Sequence, residues 1–140
     1  MQTANDVITV ARAIQQSVAP VFLLTGVGAI LSVLSNRLGR VIDRFRMLDT
    51  IDGDKQIAYK SEIAILLLRA RWIHWAISLC TTCALFICIV IAALFIGSEL
   101  DKDPSTTISM FFIAAMLALT TGLLCFLREI ALATSNIKFR

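Results

Sequence analysis

Charged residues are absent from three long stretches of this 140-residue chain, at positions 13–36, 72–98 and 104–127. A bilayer core about 30 Å thick requires about 20 helical residues, so each stretch is long enough to cross it. Hydrophobic residues make up 58% of the chain, whereas soluble domains are only about half apolar. Because lipid cannot satisfy exposed backbone groups, each crossing has to be helical. The sequence therefore predicts an all-α integral membrane protein with three transmembrane helices in a single membrane domain.

The chain also has little of the chemistry that enzymes use. It contains one histidine, and it lacks both a nucleophile with a plausible base partner and a glycine-rich phosphate loop after a strand. Its first residues show neither the basic segment nor the cleavage site of a secretory signal peptide. We therefore expect that the protein is not an enzyme, that it binds no cofactor and that the first span is retained.

The distribution of charge predicts the orientation. Eight basic residues lie between the first two apolar stretches, whereas the loop at 98–104 is mostly acidic and the tail at 128–140 is basic. Short basic loops stay in the cytoplasm, so the N-terminus is expected outside and the C-terminus inside. The net charge of +3 is then explained by topology and by contact with anionic headgroups of the lipid bilayer, and nucleic acid is not expected as a partner.

Apolar periodicity extends beyond the spans on both sides. Val7, Val10, Ile14 and Val18 recur at helical spacing, which predicts an amphipathic helix on the outer surface. The segments predicted in this way are an outer amphipathic helix at 1–17, a first span at 18–36, a cytoplasmic helical hairpin at 37–71, a second span at 72–97, an outer loop at 98–104, a third span at 105–127 and a cytoplasmic tail at 128–140.

The cytoplasmic hairpin is predicted to extend the first and second spans around a turn at Gly53. Glu62 of the returning helix, which is expected to begin near residue 56, should then lie near Arg44. The outgoing seam has the four–three spacing of a coiled coil and consists of Leu34, Leu38, Val41, Phe45 and Leu48. The residues expected to face it are Ile57, Ala64, Leu67, Leu68 and Trp72.

The run Asn36-Arg-Leu-Gly-Arg-Val-Ile-Asp-Arg-Phe-Arg-Met-Leu48, preceded by Pro20-Val-Phe-Leu-Leu and Gly26-Val-Gly28, resembles a bacterial family catalogued as domain of unknown function 2721. Members look like one span, then an N-R-L-x-R-[IV]-x-D-R-x-R-x-L run, then two more spans. They commonly have Ser where this chain has Gly39. The resemblance covers nearly the whole chain and implies a bacterial inner-membrane location, but no activity.

Arg37, Arg40 and Arg44 share one helix face within this run. Asp43 is three residues from Arg40 and from Arg46, so intrahelical pairs are available to it, whereas Arg37 has no acidic residue at that spacing. One interpretation is an anchor that reaches lipid phosphates. The other requires an oligomer around a central axis, in which these arginines would form cationic rings at the inner mouth of a pore.

A polar stripe of small residues follows one side of the first helix. Small residues let helices approach closely, and their hydroxyl groups and backbone can also face water, so packing and pore lining both stay open. We expect a homo-oligomer. The leading hypothesis is an ion pore lined by the first helix and passing small ions; the alternative is a non-conducting scaffold or regulator whose hairpin docks a partner. The polar stripe comprises Thr25, Gly28, Ser32, Ser35 and Gly39.

The cysteines and the histidine have both ordinary and functional interpretations. Cys80 and Cys83 have CxxC spacing, but they lie within a span without a basic setting that would activate a thiol. Cys80 and Cys88 also belong to a four-residue repeat of small residues, so we predict packing and no metal site. His74 lies near the inner end of the second span, where it is a candidate pH sensor or a partner for headgroups or a backbone carbonyl.

Overall fold

A computed structural model of the protein describes residues 1–51, 53, 57–100 and 105–135. It contains three long helices, α1 (Gln2–Asp49), α2 (Lys60–Leu100) and α3 (Ser105–Ser135). Each is long and apolar enough to cross a membrane, and no strand occurs in the described ranges. The prediction of three helices long and apolar enough to cross a membrane is confirmed. The predicted helix start near residue 56, the acidic positions 101 and 103, and the last basic residues of the tail lie outside the described residues.

The predicted outer helix and first span form one continuous helix of 48 residues. At 1.5 Å per residue it is about 72 Å long, more than twice the thickness of a bilayer core. Pro20 lies inside α1 and is buried. Because proline has no backbone N–H, the helical hydrogen bond that this position would donate is missing. The structure does not divide α1 near residue 17, so an orientation of its first turns along the membrane surface stays a prediction.

The end of α1 is defined by a local cap. The backbone N–H of Thr50 donates to the carbonyl oxygen of Arg46 at 3.2 Å. The Thr50 hydroxyl lies 3.0 Å from the same oxygen and 2.9 Å from the carbonyl oxygen of Met47. Gly53 follows with φ of 70°, in the left-handed region that glycine adopts without steric cost. Thr50 and Gly53 therefore mark the predicted turn after α1.

The second helix is central, because α2 packs against both α1 and α3. The buried positions of α2 follow alternate steps of three and four residues, and six buried positions of α1 recur every seven residues. Both spacings are those of left-handed coiled-coil packing. On α1 the residues buried at every seventh position are Ala13, Pro20, Val27, Leu34, Val41 and Leu48. On α2 the buried series is Ile73, Ala76, Cys80, Cys83, Ile87 and Val90.

The predicted seam is correct on α1 and wrong on α2. Leu34, Val41 and Leu48 are buried as expected, and Leu38 and Phe45 are partly buried. On α2 the buried residues are instead Leu66 and Ile73, with Ile63 and Ala70 beside them. Of the predicted residues, Ile57 before the helix and Ala64, Leu67 and Leu68 on it are exposed, and Trp72 is partly buried. The predicted face was taken from an assumed turn centre. A one-residue error there rotates the facing residues by about 100° around the helix.

The third helix continues beyond the predicted end of its span at residue 127. The first eight residues of the predicted tail, at 128–135, are helical. Near the middle of α3, a Cβ atom added at Gly122 would lie 3.2 Å from Sγ of Cys80 and 3.4 Å from the carbonyl oxygen of Ala76. The absence of a side chain at Gly122 thus lets α3 approach α2 closely, in agreement with the packing interpretation of Cys80.

Candidate functional site

Glu129 of α3 is a carboxylate with no solvent exposure, and it is held between two arginines. Nη1 of Arg37, from α1, lies 2.8 Å from its Oε2 atom. Nη2 and Nε of Arg69, from α2, lie 2.8 and 3.1 Å from its Oε1 atom. Each of the three helices therefore contributes one charged side chain, and we call Arg37, Arg69 and Glu129 the ionic clasp.

The ionic clasp satisfies a group that would otherwise be costly to bury. Burying an isolated carboxylate costs several kcal/mol, because the charge loses its hydration. In a buried ion pair, the attraction between the charges has to offset this cost. Both oxygens of Glu129 accept hydrogen bonds from charged donors, which are stronger than neutral ones. Within the described residues, no buried side-chain nitrogen or oxygen lacks a partner. The carboxylate is thus compatible with the core only because both arginines reach it.

Arg37 makes a second contact with α3. Its guanidinium carbon lies 5.2 Å from the centroid of the Phe126 ring, which is within cation–π range. Phe126 precedes Glu129 by about one helical turn, so both residues present their side chains to α1. In the part of the chain that the structure describes, the Arg37–Glu129 contact is the only side-chain hydrogen bond between α1 and α3.

A second ion pair lies further along the same face of α1. Nε and Nη2 of Arg44 are each 2.9 Å from Oε1 of Glu62, and both side chains are partly exposed. The expected proximity of Glu62 and Arg44 is therefore confirmed. Arg40, Asp43 and Arg46 are exposed, and no salt bridge joins Asp43 to either arginine.

The polar stripe lies on the outside of the molecule. Thr25, Gly28, Ser32 and Ser35 are all exposed, and a Cβ atom added at Gly28 would meet nothing within 4 Å. Gly28 and Arg37 are nine residues apart, which at about 100° per residue places them about 180° apart around α1. The pore hypothesis placed the polar stripe and the cationic residues on one axis. Arg37 instead lies on the side of α1 opposite Gly28 and pairs with Glu129 of α3, whereas Arg40 lies beside Ser35 and Gly39 around a pocket.

The remaining predicted site residues are not brought together. Cys80 and Cys83 are buried and free, and His74 is exposed on α2. The repeat of small residues predicted packing for Cys88 as well, but Cys88 is exposed. No group of three or more metal-ligand side chains occurs among the residues that were described. The role of His74 as a pH sensor stays a prediction.

A cavity of about 390 Å³ lies at the opposite end of the molecule from the ionic clasp, where α1 begins, α2 ends and α3 begins. Polar side chains of all three helices line it, and Arg12 is its charged member. Sequence periodicity had assigned this part of α1 to a membrane surface, so the cavity was not expected. Its polar lining comprises Thr9, Arg12, Gln16, Ser98, Ser105 and Ser109.

Sequence reasoning missed Arg69 and Glu129, the two partners that complete the ionic clasp. The predicted end of the third span followed the last uncharged residue, and Glu129 was left in the tail. A signal was nevertheless present in the spacing, because steps of four, three, four and three residues lead along α3 to Glu129. These positions are Ala115, Leu119, Gly122, Phe126 and Glu129.

Residues 17–139 match the family described as Protein of unknown function (DUF2721). The chain belongs to this family. The resemblance carried by the run at 36–48 is thereby confirmed, and the matched range includes all three residues of the ionic clasp. No curated protein and no solved structure gives a significant match to this DUF2721 chain. Membership in DUF2721 establishes kinship, and the family description supplies no activity.

Proposed function

We propose that this DUF2721 protein is a homo-oligomeric, non-conducting scaffold of a bacterial inner membrane. The observation that carries the proposal is the ion pair between Arg37 and Glu129. A pore with a cationic mouth needs the charge of Arg37 at its axis, but here that charge is directed into the bundle. The polar stripe on the other side of α1 then remains available for association between subunits.

The cytoplasm is the proposed location of the end that carries the ionic clasp. This end includes the basic segment between α1 and α2, and short basic segments remain on the cytoplasmic side. Beyond the clasp, Arg44 and Glu62 join α1 to α2. Exposed Arg40, Asp43 and Arg46 provide a charged surface there. This surface is the proposed docking site for a cytoplasmic partner, and the N-terminus is proposed to lie outside.

Association of subunits through the polar stripe follows from its open surface. Added Cβ atoms at Gly28 and Gly39 would meet no neighbouring atom within 4 Å. Small residues allow two helix backbones to approach closely, and this packing drives helix association where lipid removes the hydrophobic force. The α1 helices of two copies are therefore proposed to meet along Gly28, Ser32 and Ser35.

Disulfide cross-linking tests this interface. In a variant without native cysteines, Ser32→Cys should give a cross-linked dimer when membranes are oxidised. Val33→Cys is the matched control, because Val33 is the adjacent residue and is also exposed, but it points about 100° away from the stripe. Equal dimer yields for the two variants, or none for Ser32→Cys, would show that the stripe is not the interface.

A pore lined by the polar stripe is the second candidate function. It is favoured by the exposed hydroxyl groups of Thr25, Ser32 and Ser35 along an otherwise apolar segment. Ion flux into liposomes that contain only this protein separates the two functions. The scaffold predicts flux no higher than in protein-free liposomes. If Ser32→Leu abolishes the ion flux, a pore lined by the polar stripe is supported. If Arg37→Gln changes the ion selectivity of the flux, the hypothesis of a cationic ring at the pore mouth is supported.

A further inference from the structure

The ionic clasp carries two positive formal charges and one negative formal charge. Within the described residues, the guanidinium groups of Arg37 and Arg69 form salt bridges with Glu129 and with no other carboxylate. Both arginines keep part of their side chain at the surface, with 37% of Arg37 and 23% of Arg69 exposed. One positive charge is therefore left at an accessible position without a counter-ion among the described residues.

Hydrogen-bond donors also remain unused. A guanidinium has five N–H donors, yet in contacts with described side chains Arg37 uses only Nη1, and Arg69 uses only Nε and Nη2. Because no buried side-chain nitrogen in the described ranges lacks a partner, the other guanidinium nitrogens reach the surface. Arginine donors in this arrangement match the geometry of phosphate oxygens, which they bind in pairs.

The two arginines are already held in place. Glu129 fixes one side of both guanidinium groups, and the Phe126 ring covers a face of Arg37. A flexible arginine loses conformational freedom when a ligand immobilises it. That loss is reduced here, because the folded protein has already restricted the side chains. Glu129 is thus a positioning residue for a ligand that the arginines contact.

The position of the ionic clasp indicates where such a ligand would come from. Arg37 directly follows the first apolar stretch, Arg69 precedes the second, and Glu129 follows the third. Arg71 and Arg128 are exposed close to them in sequence. If the apolar stretches cross a membrane, these side chains lie at the level of lipid headgroups.

We infer that the ionic clasp binds a phosphate group, supplied by an anionic lipid headgroup or by free phosphate, through Arg37 and Arg69. This inference goes beyond the proposed scaffold and does not depend on it, since a monomer contains the complete site. Its chemistry is non-covalent: the phosphate oxygens accept hydrogen bonds from the unused guanidinium donors and balance the remaining positive charge.

Native mass spectrometry in detergent tests whether the phosphate comes from a lipid headgroup, with phosphatidylglycerol and phosphatidylcholine added separately. Wild-type protein should retain phosphatidylglycerol in preference to phosphatidylcholine. Arg37→Gln and Arg69→Gln should each weaken that retention about tenfold, which corresponds to about 1.4 kcal/mol. Arg40→Gln is the matched control, because Arg40 is an exposed arginine on α1 outside the clasp. Loss of the same size in Arg40→Gln, or no loss in either clasp variant, would overturn the inference.

Lysine variants and inorganic phosphate complete the test. Arg37→Lys keeps the charge and the contact with Glu129 but loses the paired donors, so a folded Arg37→Lys protein should show an intermediate loss. A rise in melting temperature with inorganic phosphate alone, absent in Arg37→Gln, assigns the site to free phosphate. A rise with phosphatidylglycerol but not with inorganic phosphate assigns it to lipid. If the change in melting temperature is the same in wild type and Arg37→Gln with both probes, the phosphate site is contradicted.

Discussion

The two ends of this molecule are held together in different ways. At one end the ionic clasp joins all three helices through a carboxylate that is fully buried. At the other end the same three helices surround a cavity of about 390 Å³, and Arg12 beside it makes no salt bridge with any described residue. Apolar packing of α2 against its neighbours is present along the bundle. The specific polar connection between α1 and α3 is therefore concentrated at one end.

This difference indicates how a small membrane-type bundle fixes its geometry. The coiled-coil spacing of α1 and α2 brings apolar side chains together, but apolar contacts tolerate sliding and rotation better than paired charges do. An ion pair between fixed positions, such as Arg37 and Glu129, specifies one register of α1 against α3. Buried polar groups have this role in coiled coils, where they select register at a cost in stability.

The largest expected effect is at Glu129. Glu129→Gln leaves Arg37 and Arg69 facing each other without the carboxylate. Removal of one partner from a buried ion pair typically costs 3–5 kcal/mol, and the partial exposure of both arginines favours about 3 kcal/mol. The loss is measured as the difference in the free energy of unfolding by SDS between wild type and Glu129→Gln in lipid-free detergent. Glu99→Gln, an exposed change at the other end, should cost under about 0.5 kcal/mol. Similar losses for the two variants would remove the distinction between the ends.

A packing change in the middle of the bundle should have the next largest effect. Gly122→Val places atoms within about 3.3 Å of Leu79 and Cys80, and overpacking of this kind typically costs 1–3 kcal/mol. Gly28→Ala is the contrasting change, because nothing lies within 4 Å of it and alanine favours a helix by about 0.8–1.0 kcal/mol over glycine. The same SDS titration on the monomer compares them. A stable Gly122→Val protein would show that α3 does not approach α2 this closely.

A smaller effect is expected at Arg44. Its pair with Glu62 is partly exposed on both sides, and exposed ion pairs contribute about 0.2–1 kcal/mol, less at high salt. Arg44→Gln should therefore lower the free energy of unfolding by less than 1 kcal/mol, and added salt should shrink the difference from wild type. A loss as large as that of Glu129→Gln would mean that solvent does not screen this pair.

The helices could be predicted from sequence because their signals are local. Uncharged stretches, heptad spacing and the proximity of Arg44 and Glu62 all depend on residues close along the chain or across one turn. The buried face of α2 was predicted wrongly because it depends on the turn geometry between α1 and α2, which spacing alone does not specify. Glu129 was missed because its partners come from two other helices. The cavity beside Arg12 also requires the arrangement of all three helices.

The smallest effect is expected at the cavity. Arg12→Gln removes a charge that has no salt-bridge partner among the described residues. Surface changes of this kind usually alter stability by less than about 0.5 kcal/mol. Melting temperatures of wild type and Arg12→Gln in detergent should agree closely. A clear loss of stability would reveal a polar connection at this end as well, and the contrast between the two ends would weaken.

A double-mutant cycle between Arg37 and Glu129 measures the connection between α1 and α3 most directly. The four proteins are wild type, Arg37→Gln, Glu129→Gln and the double variant, each unfolded by SDS in lipid-free detergent. Residues joined in one ion-pair network show coupling energies of about 0.5–3 kcal/mol. We expect about 1 kcal/mol or more for Arg37 with Glu129, and none for a parallel cycle that uses Arg40→Gln. Additive losses for Arg37 and Glu129 would contradict an ionic clasp between α1 and α3.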